Sequence, residues 1–114
     1  MGNKMKQPDL NKFIREHFNI SKCNRKEGHI VHDPKTAPEH RKIVVDICEW
    51  AIQNGLKFYT RVFLKNGQIV DIVIPELSRP FIEVRHSELG KTKEYLSNPD
   101  LIQFIDTTDP FKLT

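Results

Sequence analysis

The chain has 114 residues, 38% of them hydrophobic and 29% charged, with a formal net charge of +3 at pH 7. That is enough for one hydrophobic core and ordinary for a globular domain. It argues against a disulfide scaffold, because there are only two cysteines, and against a membrane span, because no apolar run approaches the roughly 18 residues such a helix needs. The opening stretch MGNKMKQPDLNKF has no apolar h-region, so no signal peptide is expected. Cys23 and Cys48 read as free thiols in a reducing, cytoplasmic setting. The modest positive charge permits a nucleic-acid partner without requiring one.

In chain order, PDLNKFIREHFNI places Leu10, Phe13, Ile14 and Phe18 at helical spacing and predicts a short amphipathic helix over about residues 8–19. Residues 21–38 follow with Gly28, Pro34 and Pro38 and no sustained period, which predicts an irregular basic connection with a short strand at HIVH. Residues 1–38 therefore read as an N-terminal helix and basic connecting arm, and 39–114 as the core. TAPEHRKIVVDICEWAIQNG opens with the capping-box pattern Thr36-x-x-Glu39 and closes on Gly55. Between them Ile43, Val44, Ile47, Cys48, Trp50 and Ala51 make a broad apolar face, with His40 near its middle and Glu39 at its edge.

The period then changes from helical to alternating. LKFYTRVFLKNGQIVDIVI predicts two strands joined at Asn66-Gly67, a strong hairpin signal. RPFIEVR predicts a third strand, LGKTKEYLSN a short helix, and DLIQFID a fourth strand. The order describes an α/β (α+β) domain with a small mixed sheet.

Charges interrupt two of these strands. Asp71 sits inside IVDIVI, and Glu83-x-Arg85 inside FIEVR. An acid within a central apolar strand fits poorly unless it is paired. Simple alternation around the turn pairs Asp71 with Val84, while a one-residue shift sets Asp71 opposite Glu83. Two carboxylates that close repel unless one is protonated or a cation lies between them. Arg85 emerges on the same face as Glu83.

A helix bearing Glu39, a hairpin bearing Asp71, then Glu83-Val84-Arg85, a helix and a strand resembles the PD-(D/E)xK nuclease superfamily over about residues 39–106. In size and order it is most similar to the small archaeal Holliday-junction resolvases. The resemblance implies a restriction-endonuclease-like αβββαβ core and a phosphodiesterase site using Mg2+ or Mn2+. Asp71 and Glu83 would be metal ligands, joined by the carbonyl of Val84, with Glu39 as the first-helix acid. Some branches place a histidine on that helix, which makes His40 a rival. Arg85 stands where the superfamily has lysine; it stays charged and cannot accept a proton, though it can clamp phosphate. His86, Lys91 and Lys93 are candidates for a relocated base.

Each residue also has a plainer reading. Glu39 can be the capping partner of Thr36, His40 a core histidine, and Glu83 half of a salt bridge. Ser87 can contact phosphate or cap the next helix. Lys91 and Lys93, with the basic group Lys22, Arg25, Lys26, Lys35, Arg41 and Lys42, can follow a nucleic-acid backbone or form a solvated flank. The expectation is a metal-dependent endonuclease on DNA, working as a homodimer because one small domain grips a duplex poorly. The alternative is a catalytically inactive nuclease-fold protein that binds nucleic acid or a protein partner.

Overall fold

The computed structural model describes residues 5–21, 26–85, 99–107 and 113–114. Helix α1 spans Gln7–His17 and α2 spans Pro38–Gln53. Helix α2 follows from its stripe of Val44, Ile47, Cys48 and Ala51, all buried. The expected capping box is not there. Its N-cap is Ala37, and no side chain caps the helix. The Thr36 hydroxyl instead donates to the Asp33 carbonyl at 2.7 Å, inside the turn before the helix. Pro38 then begins the helix, where its missing N–H has no intrahelical acceptor to lose.

The other end is as expected. Gly55 has φ 67°, its N–H donates to the Ile52 carbonyl at 3.1 Å, and the Leu56 N–H donates to the Ala51 carbonyl at 2.9 Å. This double bond pattern is a Schellman motif, and Leu56 tucks into the core behind it. Gly55→Ala is expected to destabilise the domain by about 1–2 kcal/mol, because a Cβ disfavours the left-handed conformation. Urea denaturation reads this as a lower midpoint at unchanged slope.

Strands β1 (Tyr59–Phe63), β2 (Ile69–Val73), β3 (Phe81–Arg85) and β4 (Ile102–Asp106) form a mixed sheet in the order β1-β2-β3-β4. The first two pairings are antiparallel and β3 with β4 is parallel. In the β1–β2 hairpin the Gly67 N–H donates to the Leu64 carbonyl at 3.0 Å, the Leu64 N–H donates to the Gln68 carbonyl at 2.8 Å, and Gly67 takes φ 89°. That is a three-residue loop ending on a left-handed glycine, the form that suits the sheet's twist.

The two helices lie against separate apolar clusters. On the α2 side, Val44, Ile47, Cys48 and Ala51 pack with Ile72, Ile74, Ile82, Val84 and Ile105. On the α1 side, Leu10 and Phe18 pack with Tyr59, Val62, Val70, Val73, Phe81 and Ile102. Residues 7–17 thus form one layer of the domain. The connection after them makes no strand at HIVH. It is anchored instead to buried Thr60, whose hydroxyl accepts the Val31 N–H at 2.7 Å and donates to the His29 carbonyl at 2.9 Å. A parallel β3–β4 pair needs a crossover; the short helix expected at LGKTKEYLSN lies outside the described residues, as do His86, Ser87, Glu88, Lys91 and Lys93. Among the described residues no helix is long and apolar enough to cross a membrane.

Candidate functional site

The site arises where the strands depart from regular alternation. In β2, Val70 and Val73 are three residues apart yet share the α1-side cluster, while Ile72 and Ile74 pack on the α2 side. Strict alternation would separate Val70 from Val73. The reset falls at Asp71, which is thereby turned toward α2. There the His40 Nε2 lies 3.1 Å from Asp71 Oδ2.

Strand β3 meets Asp71 from the other side. Ile72 pairs with Ile82 and Val73 with Phe81, and the Ile74 N–H donates to the Pro80 carbonyl at 2.9 Å. This register sets Asp71 across from Glu83 and not Val84, so the simple alternation count is off by one. Main-chain pairing ends at Ile72 and Ile82. Beyond it the carboxylates take over. The Asp71 N–H donates to Glu83 Oε1 at 3.1 Å, and the Val84 N–H donates to Asp71 Oδ2 at 2.9 Å. The two strands are therefore held together by acid side chains at the point where they part.

Electrostatics explain why the arrangement is tolerated. His40 is raised above its usual 6.5, first by its hydrogen bond to Asp71; burial opposes the rise, and the charges of Asp71 and Glu83 and the Val84 backbone add to it. The imidazolium form thus offsets two neighbouring carboxylates. A raised folded-state value gives stability that is fully present below 6.5 and is lost as pH climbs through the folded-state value. An NMR titration of the His40 ring is expected to show a midpoint above 6.5. The matching loss of unfolding free energy above that pH is expected to vanish in His40→Gln. A midpoint at or below 6.5 would contradict the pairing.

The remaining residues separate into those the fold gathers and those it does not. Arg85 stands two residues from Glu83 in β3, and its guanidinium carbon lies 3.6 Å from the centre of the Phe104 ring, a cation–π stack on a residue that packs against the α1-side cluster. The Arg85 Nη2 is buried without a hydrogen-bond partner among the described residues. Glu39 is exposed, and among the described residues it forms no ion pair or hydrogen bond, so the helix contribution comes from His40. Arg41 donates to the Thr36 carbonyl, and exposed Lys42 lies 3.5 Å from Asp46. Phe104 was not singled out by sequence. Its one available signal is its place in β4 beside Glu83.

No three His, Cys, Asp or Glu side chains among the described residues stand together as a metal-binding group. Asp71 and Glu83 remain a two-carboxylate set of oxygen donors, with Asp71 Oδ1 unengaged among the described residues. Magnesium is commonly held by one or two carboxylates, with waters and substrate phosphates completing its shell, so this set fits it. Comparison with protein-family models, with curated proteins and with solved structures gives no match for the chain.

Proposed function

We propose that this protein is a small metal-dependent endonuclease acting on DNA, with a PD-(D/E)xK-type core and Asp71 and Glu83 as ligands for Mg2+ or Mn2+. The observation that carries the reading is the opposition of those two carboxylates where β2 and β3 part, with a histidine 3.1 Å from one of them. A bound ion would lower the pKa of a water and offset charge at the phosphate. Arg85 supplies the fixed positive charge that binds phosphate but accepts no proton. His40 is the group at the site able to hold or release a proton at Nε2. Two copies would grip a duplex from both sides, and a sequence with only two cysteines suits an intracellular setting.

One observation favours a second reading. His40 already offsets part of the carboxylates' charge, so the cluster has a built-in cation beside it. A catalytically inactive relative that binds nucleic acid or a protein partner would keep such a cluster as structure. Labelled duplex, branched and single-stranded DNA, incubated with Mg2+ or Mn2+ and in parallel with a chelator, separates the two. The endonuclease reading expects cleavage that the chelator stops. Binding with no cleavage of any substrate would leave the second reading standing.

A further inference from the structure

The reset that turns Asp71 toward α2 is not confined to β2. In β1, Tyr59 and Val62 are likewise three residues apart and share the α1-side cluster. The pairs Thr60–Ile72 and Val62–Val70 leave one residue of each strand between them, Arg61 facing Asp71. Arg61 is the one non-glycine residue with positive φ among the described residues, at 48°. A left-handed residue inside a strand rotates the backbone out of pleat, and an arginine there is disfavoured by its Cβ. Such a conformation persists only where the surroundings impose it, and it collects at sites with a geometric task.

The Arg61 side chain reaches the other half of the same contact. Its Nη2 lies 3.8 Å from Asp33 Oδ2. Asp33 organises the turn before α2: its carboxylate accepts the Lys35 N–H at 2.9 Å, and its carbonyl accepts the Thr36 N–H at 3.1 Å and the Thr36 hydroxyl. The Thr36 carbonyl in turn accepts from Arg41, the residue after His40. The backbone of Arg61 thus bears on where Asp71 points, and its side chain bears on where His40 stands.

We infer that Arg61 is the positioning residue of the His40–Asp71–Glu83 cluster, acting first through its left-handed backbone. The inference does not depend on the reaction the cluster performs. The Val84 N–H donates to Asp71 Oδ2, so its amide resonance reports whether Asp71 is turned out of alternation. In the full-length 15N-labelled chain, Arg61→Gly and Arg61→Asn can both adopt positive φ at little cost. Both are expected to keep the Val84 amide at its wild-type shift and exchange protection. Arg61→Val is β-branched and resists that conformation. It is expected to shift the Val84 amide and raise its exchange rate at least tenfold, or to leave the chain unfolded where the glycine variant folds. A Val84 signal in Arg61→Val identical to that of Arg61→Gly would overturn the inference. So would its equal loss in the glycine and asparagine variants.

Discussion

Asp71→Asn is expected to reduce metal-dependent cleavage by more than about 100-fold while leaving the chain folded. Replacing the outer partners of a metal's ligands already costs about 10–100-fold, and loss of a ligand's charge should exceed that range. Asparagine is the informative change because its side-chain oxygen can still accept the Val84 N–H that Asp71 accepts at 2.9 Å. Asp71→Ala would leave that amide without its partner, at about 1–3 kcal/mol, and so mixes stability with activity. In Asp71→Asn, His40 loses the hydrogen bond to a charged acceptor that is the first cause of its raised value, and its NMR midpoint should fall toward 6.5. Initial rates on labelled DNA beside thermal melts check the two halves. Undiminished cleavage by folded Asp71→Asn would remove Asp71 from the site.

The largest loss of stability is expected from Ile82→Ala. Ile82 is fully buried, pairs with Ile72 in the middle of the sheet, and packs in the cluster beneath α2. Truncating such a side chain removes its transfer free energy and leaves a cavity, together about 2–5 kcal/mol. A domain of this size has roughly 5–15 kcal/mol in total, so the variant stands near the edge of folding. Ile52 is the control: it is 55% exposed on α2, and its alanine variant should lie within about 0.5 kcal/mol of wild type. Urea midpoints for the two variants give the comparison directly. Equal midpoints would show that the sheet centre is not where the stability resides.

Helix α2 and the hairpin were legible because each rests on local chemistry: an apolar stripe, a left-handed glycine at Gly55, and another at Gly67. His40 was legible for the same reason, since its helical phase put it on the apolar face while Glu39 fell at the edge. The capping box failed because the helix begins one residue later than the pattern assumes: Ala37 is the N-cap and Pro38 opens the helix, while the Thr36 hydroxyl donates to the Asp33 carbonyl in the turn before it. The acids of the site were visible as misfits in apolar strands, but their register was not. Strand counting assumes regular alternation, and both β1 and β2 reset theirs at Arg61 and Asp71. An arginine at position 61 does not announce a positive φ. It becomes visible only when the sheet and α2 are in place together.

The same junction decides what the cluster is for. The two carboxylates could be there to hold a cation or only to close the gap between β2 and β3. Calorimetric titration of Mn2+ into wild type, Asp71→Asn and Glu83→Gln tests this without any assumption about substrate. One saturable site in wild type, weakened at least tenfold in each variant, is the result expected. No binding by wild type, or binding that both variants retain in full, would mean that these carboxylates hold the strands and His40 together and do not hold a metal ion.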